Sequence, residues 1–197
     1  MIQLPYIEPV FRPPSEAHSL IVQVTNGCSW NRCTFCEMYT LPQKKFSLKP
    51  LDKIEQEIAS VARSGLPVRR VFLADGDAMT LSYRRLHDIM DVIRRHLPDI
   101  QRVSSYCLPR NLRNKTVDEM ATLREMGLDL FYVGCESGDD LVLDRVKKGE
   151  DFESSLQALR KIKDAGARSS VMILNGMGGR KYSEQHARNS ALLMNEA

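Results

Sequence analysis

The sequence lacks the features that mark membrane, secreted or strongly nucleic-acid-binding proteins. It has no run of about 18 apolar residues, the length that a membrane-spanning helix needs. Residues 1–19 contain four prolines and lack the basic stretch followed by an apolar one that is typical of a secretory signal. The net charge of +3 is too small to indicate a nucleic-acid partner by itself. These absences predict a cytoplasmic protein without membrane contact.

Cysteine is present in an odd number and is unevenly distributed. Five cysteines occur in 197 residues, and three of them fall between residues 28 and 36. The odd number and the crowding argue against a framework of disulfides, and they indicate metal or redox chemistry in a reducing compartment. The remaining two, Cys107 and Cys135, are too few to bind an iron–sulfur cluster of their own with four thiolate ligands.

Short apolar runs alternate with amphipathic stretches five times along the chain, without a repeat or a low-complexity tract. The runs are compact and rich in β-branched and aromatic residues, as is typical of buried parallel strands. They begin near Leu20, Val71, Arg102, Leu130 and Ser170. This alternation of strands and helices predicts an α/β fold with a parallel sheet.

Capping residues predict where the helices begin and end. Ser82, Asp151 and Ser183 are expected to open the second, fourth and fifth helices. The run 116–119 has the reciprocal pattern of a capping box and opens the third helix, which Gly127 suits at its end.

The expected organisation is a short N-terminal segment followed by one domain. Residues 1–19 are rich in proline and are expected to be extended, and residues 20–197 are expected to form the core domain. A complete eight-fold barrel needs roughly 250 residues, more than the 197 of this chain, which has five strand–helix units. The fifth strand would then be a bare edge unless another chain or segment covers it.

Chemically active residues follow each of the five predicted strands. In parallel βα folds, ligands bind at the carboxyl ends of the strands, so these residues are expected to share one rim. In chain order they are Asn26 and Gly27 with the three cysteines, Asp75–Gly76–Asp77, Cys107 with Pro109 and Arg110, Glu136–Ser137–Gly138, and the glycine-rich run 175–179.

Cys28, Cys33 and Cys36 form the most informative motif, because three thiolates on one loop make a metal site that lacks one ligand. A structural zinc ion needs four ligands, so zinc would require a further residue such as Cys107, His18 or His87. A [4Fe–4S] cluster held by three cysteines instead leaves one iron open to a small molecule. Trp30 and Phe35 are candidates to shield such a cluster, although Trp30 suits loop anchoring equally well.

The segment from Cys28 to Cys36, with Phe35 before its last cysteine, resembles the cluster motif of the radical SAM superfamily. This chain has four residues between Cys28 and Cys33, one more than the usual motif. The resemblance implies a [4Fe–4S] cluster, S-adenosylmethionine at the open iron, and reductive cleavage to a 5′-deoxyadenosyl radical that abstracts hydrogen from an unknown substrate. It also implies a one-electron donor such as flavodoxin or ferredoxin.

The same resemblance gives the later rim residues contacts with S-adenosylmethionine. It implies that Asp75, Gly76 and Asp77 contact the amino group of the cofactor and that Glu136 and Ser137 contact its ribose. It also implies that Lys148 pairs with the carboxylate of the cofactor, and that Asn175 and Gly176 lie near the adenine. Plainer interpretations exist for each motif: a tight Asp-Gly turn, a helix cap, an exposed lysine and a glycine-rich turn.

The resemblance extends over about residues 20–179. The superfamily core is an open, partial barrel of six strand–helix units. The resemblance therefore implies a partial, TIM-like (β/α) barrel with five of these units, and we expect the chain to be truncated before a sixth strand. The run 12–16, together with residues 136–138 and 148–149, is similar to the branch that includes Elongator-type and oxygen-independent coproporphyrinogen oxidase-type enzymes.

The alternative function is a non-catalytic metal-binding module, for zinc or electron transfer. The sequence does not exclude a nucleic acid as the substrate, but the composition gives no support for one.

Overall fold

A five-stranded parallel sheet forms the centre of the protein, for which a computed structural model describes residues 4–197. The strand order is β1–β4–β5–β6–β7, so each strand of this sheet lies beside the next one along the chain. Its strands are β1 (Leu20–Gln23), β4 (Arg70–Ala74), β5 (Arg102–Cys107), β6 (Leu128–Glu136) and β7 (Arg168–Ile173). The sheet confirms the predicted α/β fold and the parallel arrangement of a partial barrel.

Helices connect the strands and pack on one face of the sheet. Those of the described residues are α1 (Leu51–Arg63), α2 (Tyr83–His96), α3 (Val117–Glu125), α4 (Asp140–Arg145), α5 (Phe152–Asp164) and α6 (Gly179–Glu196). Ser82 and Asp151 accept hydrogen bonds from amides in the first turns of α2 and α5, and Thr116 forms the predicted capping box with Glu119. No helix within residues 4–197 is both long and apolar enough to cross a membrane.

The last helix begins earlier than predicted, at Gly179 rather than at Ser183. The Gly179 amide donates to the Gly176 carbonyl at 2.9 Å, and the Tyr182 amide donates to the Gly178 carbonyl at 3.0 Å. The glycine-rich turn therefore leads directly into helical hydrogen bonding, and Ser183 is not needed as a cap.

A short helix and a short two-stranded ribbon were not predicted. Helix α4 is only six residues long, too short to show a helical period, and Asp139 caps it by accepting from the Val142 amide at 2.9 Å. Strands β2 (Thr25–Asn26) and β3 (Ser47–Leu48) form a two-residue antiparallel ribbon at the ends of the cysteine-bearing loop.

The two edges of the sheet differ. Strand β7 has a neighbour, β6, on one side only within the described part of the chain. The N-terminal segment lies along the other edge, where the Tyr6 hydroxyl donates to the Ile21 carbonyl at 2.9 Å and the Ile7 amide donates to Gln23 Oε1 at 2.9 Å. These bonds connect the segment to β1.

Aromatic rings cover the face of the sheet opposite the helices. Phe72 lies edge-on to Tyr106 and to Tyr132, with ring centroids 5.1 and 6.2 Å away. The Tyr132 hydroxyl donates to Glu16 Oε1 at 2.8 Å, and Arg102 donates to the same oxygen at 2.7 Å. The fully buried Glu16 carboxylate thus joins the N-terminal segment to β5 and β6.

The environment of Glu16 predicts an acid-sensitive contribution to stability. Burial alone would raise the pKa of Glu16, but hydrogen bonds from Ser19, Tyr132 and Ser104, with the charge of Arg102, lower this pKa overall. A lowered native pKa means that Glu16 stabilises the fold above the unfolded-state pKa, and that this contribution is lost as the pH falls through the native value.

We expect Glu16→Gln to lower the free energy of unfolding by about 1–3 kcal/mol at pH 7, because charged hydrogen bonds are lost. The difference in the free energy of unfolding between the wild type and the variant should narrow as the pH falls below about 4.3, the ordinary pKa of glutamate. Urea unfolding from pH 7 to pH 3 measures both effects. Glu125→Gln, at an exposed position, serves as the control, and a gap that is constant with pH would contradict the prediction.

Candidate functional site

A cavity of about 380 Å³ opens at the carboxyl end of the sheet. The loop of residues 27–39, here called the cysteine loop, forms one wall, and residues at the ends of β4, β5, β6 and β7 form the others. The predicted site residues that line it are Cys28, Cys33, Cys36, Gly76, Glu136 and Lys148. Thiols, a carboxylate and an ammonium group from distant parts of the chain therefore meet at one place.

The three thiols face the same cavity but are not gathered around a single point. Among residues 4–197, no three His, Cys, Asp or Glu side chains are placed so that they could hold one metal ion. A zinc ion needs its ligand atoms about 2.0–2.3 Å from one centre, whereas the thiolates of an iron–sulfur cluster bind different irons. Residues 4–197 therefore provide no preassembled site for a single ion at the cysteines.

The residues considered as a fourth zinc ligand do not complete a zinc site. Cys107 lines the cavity, but its thiol donates to the Leu108 carbonyl at 3.4 Å. His87 lies on α2 beside Asp91, at 3.3 Å, and neither it nor His18 lines the cavity. Cys135 is fully buried in the main core.

Burial favours the protonated form of the Cys28 and Cys33 thiols. It raises the pKa of Cys28 to about 11, with the negative charge of Asp77 as a further cause, and it also raises the pKa of Cys33. Because thiolates rather than thiols bind iron, cluster formation must release protons from these side chains.

A buried ion pair lies beneath the cysteine loop. The ammonium group of Lys44 contacts Asp75 Oδ2, and both side chains are completely inaccessible to solvent. The same carboxylate oxygen accepts from the Gly27 amide and from the Gln23 side chain, each at 3.3 Å. Lys44 also donates to the Ile7 carbonyl at 2.8 Å. The pair thus connects the start of the cysteine loop to β4 and to the N-terminal segment.

Asp77 holds the cysteine loop from a second position. It accepts hydrogen bonds from the Ser29 hydroxyl and, at 3.1 Å, from the Ser29 amide. Neither Asp75 nor Asp77 lines the cavity, and both are fully buried. Their contact with the amino group of a cofactor stays a prediction, and the observed role of both carboxylates is to position the loop.

Gly76 lies between these carboxylates and does line the cavity. A Cβ atom at this position would lie 2.6 Å from the Gly27 carbonyl oxygen and 3.0 Å from the Cα of Cys28. Only glycine therefore lets the end of β4 approach the first cysteine this closely.

Glu136 and Lys148 form a charged pair on the opposite wall. The Lys148 ammonium lies 3.2 Å from Glu136 Oε1, and it is largely buried. Glu136 adopts a left-handed φ of 66°, which is rare for a residue with a side chain. Gly134 makes room for the pair, because a Cβ there would lie 2.7 Å from that carboxylate oxygen. Lys148 is therefore not an exposed lysine, which was the plainer interpretation of this residue.

The other predicted cofactor contacts lie outside the cavity. Ser137 is fully buried, 2.8 Å from His186 Nδ1, and joins β6 to α6. Asn175 and Gly176 are exposed beyond the end of β7, where Met172 and Leu174 line the cavity instead. A role for these three residues in cofactor binding stays a prediction.

Sequence reasoning missed a cluster of Trp30, Arg110 and Glu150. The Arg110 guanidinium lies 3.9 Å from the centroid of the Trp30 ring, and its Nε donates to the buried Glu150 carboxylate at 2.7 Å. Trp30 Nε1 donates to the Lys147 carbonyl at 2.8 Å. Trp30 does not line the cavity, so it anchors the cysteine loop beside Lys148 rather than covering the cysteines. The sequence had indicated Arg110 only as a rim residue and Trp30 as a cluster shield or a loop anchor, and it gave no signal for Glu150.

Comparisons with known proteins give a consistent family. The radical SAM superfamily model matches residues 22–193. A Methanocaldococcus jannaschii protein that carries the name of a methylthiotransferase is 22% identical over 154 residues, which are 76% of this chain and 33% of that protein.

Two solved structures share the fold. The cobalamin-dependent radical enzyme OxsB, with S-adenosylmethionine bound, has a TM-score of 0.65 at 20% identity over 78% of this chain and 23% of its own. The methyltransferase TsrM from Kitasatospora setae, with cobalamin and a [4Fe–4S] cluster bound, has a TM-score of 0.56 at 19% identity over 78% and 30%. The chain spans about a third or less of each of these proteins.

We expect Lys44→Met to lower the free energy of unfolding by about 3–5 kcal/mol, because it leaves the Asp75 charge buried without a partner. Adding Asp75→Asn should restore part of the loss. Chemical denaturation of the two variants measures the effect, and Lys45→Met, at an exposed neighbouring position, is the control. Equal stabilities of the Lys44 and Lys45 variants would show that the pair does not hold the loop.

Trp30 is the single tryptophan, so its fluorescence reports on the cysteine loop alone. We expect Arg110→Gln to shift the emission to longer wavelength and to increase quenching by acrylamide, because the ring loses the nearer of its two cation–π contacts and becomes more exposed. The matched control is Arg113→Gln, since Arg113 is mostly exposed and contacts Glu150 at 3.5 Å. Unchanged emission in the folded Arg110 variant would contradict an anchoring role.

Proposed function

The chain belongs to the radical SAM superfamily of enzymes, and from this premise we propose that it binds a [4Fe–4S] cluster through Cys28, Cys33 and Cys36 and cleaves S-adenosylmethionine. The observation that carries the proposal is the meeting of three thiols with the Glu136–Lys148 pair at one cavity. A structural metal ion would not need the charged pair. The substrate and the outcome of the reaction are unknown.

When bound, the cluster would supply one electron to S-adenosylmethionine, releasing methionine and a 5′-deoxyadenosyl radical that abstracts hydrogen from the substrate. The protein's part is to orient the cofactors and exclude water. Cys28, Cys33 and Cys36 would be the cluster ligands. Phe35 and the other apolar lining residues would limit access of solvent. A flavodoxin or ferredoxin is the proposed electron donor.

Two charged side chains suit the polar ends of S-adenosylmethionine. Lys148 has an ammonium group for the methionine carboxylate, and Glu136 has acceptor oxygens for the ribose hydroxyls. Their mutual contact at 3.2 Å would satisfy both groups in the free protein. Binding would then exchange one polar partner for another, so that each charged group remains hydrogen-bonded at the cavity wall.

The remaining assignments are proposals of the same kind. Asp75, Gly76 and Asp77 are proposed to surround the cofactor amino group, in addition to positioning the cysteine loop. Ser137, Asn175 and Gly176 are proposed to lie on the nucleoside side. Residues 20–197 are proposed to act as one core domain, with residues 1–19 as a segment attached to it.

We expect anaerobic reconstitution with iron and sulfide to give brown protein with about four irons and four sulfides per chain. Adding dithionite and S-adenosylmethionine should then release 5′-deoxyadenosine, measured by chromatography. Cys33→Ala should lose both the colour and the product, because it removes a cluster ligand. Cys135→Ala, which changes a core cysteine, should retain both.

Colourless protein that holds one zinc per chain would contradict the proposed function and favour a non-catalytic metal module. Equal product formation by the Cys33 and Cys135 variants would contradict the assigned ligands. Iron and sulfide are therefore measured in every sample, so that the ligand assignment is tested independently of turnover.

A further inference from the structure

Three tyrosines form a part of the cavity that the proposed function leaves unused. Tyr39, Tyr106 and Tyr132 all line it, and they are here called the tyrosine end. The Tyr106 and Tyr132 rings lie edge-to-face, with centroids 6.2 Å apart, and both pack on the fully buried Phe72. The rings are therefore fixed from beneath by the sheet.

Tyr132 offers its ring but not its hydroxyl to a ligand. The hydroxyl lies 2.8 Å from the Ser15 hydroxyl and donates to Glu16 at 2.8 Å. Both contacts are with the N-terminal segment, which covers this face of the sheet. Tyr132 therefore acts as an apolar floor of the tyrosine end.

Tyr39 offers a second ring. It is only 5% exposed, and Phe11 holds it edge-on with the ring centroids 5.8 Å apart. Its hydroxyl is inaccessible to solvent and lies beside Asp75, so it cannot donate to a ligand in the cavity. A ring held this firmly loses little conformational freedom when a ligand packs against it.

Tyr106 is the one member of the tyrosine end that can donate a hydrogen bond to a ligand. It is half-buried, and its hydroxyl forms no hydrogen bond within the described part of the chain. Burial, with smaller effects of Tyr132 and Asp75, raises the pKa of Tyr106 to about 12. The phenol therefore keeps its proton at physiological pH and serves as a neutral donor.

The tyrosine end provides no charged partner for a ligand. The charged side chains that line the cavity are Glu37, Glu136 and Lys148, and the last two are paired with each other. Asp75 lies near the tyrosines but is bound to Lys44 beneath the surface. A ligand with a net negative charge would lose hydration here without gaining a counterion, because the Lys148 ammonium is already paired with Glu136.

We propose that the tyrosine end binds the substrate, and that the substrate presents there a neutral aromatic or heteroaromatic ring with a hydrogen-bond acceptor facing Tyr106. This proposal rests on the proposed function, which puts the cofactors at the cysteines, Glu136 and Lys148. Aromatic walls favour an aromatic ligand through edge-to-face and stacked contacts. The single free phenol donor selects a ring nitrogen or a carbonyl oxygen.

Quinoline is a suitable probe, because it is a neutral heteroaromatic ring with one acceptor nitrogen. Naphthalene has the same shape without the acceptor, and quinoline-2-carboxylate adds a negative charge. We expect ligand-observed NMR titration of the cluster-loaded protein to show quinoline binding that is about three- to tenfold weaker in Tyr106→Phe, the effect of one lost neutral hydrogen bond. Naphthalene binding should be the same in both proteins. Tyr83→Phe, on the outer helix α2, is the control.

Three further readouts decide the proposal. Quinoline should bind together with S-adenosylmethionine, should bind Cys33→Ala protein that lacks the cluster, and should bind more tightly than quinoline-2-carboxylate.

Displacement of quinoline by S-adenosylmethionine would overturn the proposal, because the tyrosine end would then belong to the cofactor. Equal quinoline affinity in the wild type and Tyr106→Phe would overturn the role of the phenol. Quinoline binding to protein that never forms a cluster would support this proposal while the proposed function fails.

Discussion

The buried ion pair of Lys44 and Asp75 is the interaction on which the candidate site depends. One carboxylate oxygen accepts from the lysine, from the first amide of the cysteine loop and from Gln23. The lysine in turn contacts the N-terminal segment at Ile7. Two charges without solvent access are costly unless each satisfies the other, so the loop, β4 and the segment must assemble together.

Close approach between backbones is the second constraint on the site. The cysteine loop can rest on the end of β4 only because Gly76 has no side chain, and Gly134 leaves room beside the Glu136–Lys148 pair. The cluster of Trp30, Arg110 and Glu150 then attaches the loop to the turn that carries Lys148. The thiols and the ammonium group are held by separate contacts that converge on one cavity.

The cavity combines two chemical environments. One end has thiols and a charged pair, which suit a cluster and a zwitterionic cofactor, and the other has three tyrosine rings without a charged partner. The N-terminal segment contributes to both ends, since Ile7 contacts Lys44 and Glu16 holds the hydroxyl of Tyr132. The segment therefore supports the site even though it contains none of the predicted ligands.

The sequence by itself determined the features that depend on neighbouring residues. Apolar runs marked the strands, capping residues such as Ser82 and Thr116 marked helix starts, and the spacing of the cysteines indicated the metal site, because each signal lies within a few residues of chain. The sequence predicts the start of α6 too late, at Ser183, because the glycine-rich turn at Gly176 already leads into the helix. Only the tertiary structure decided that Asp75 faces Lys44 and that Trp30 reaches Lys147. Those partners lie 31 and 117 residues apart, and their contact depends on how the whole sheet brings its strand ends together.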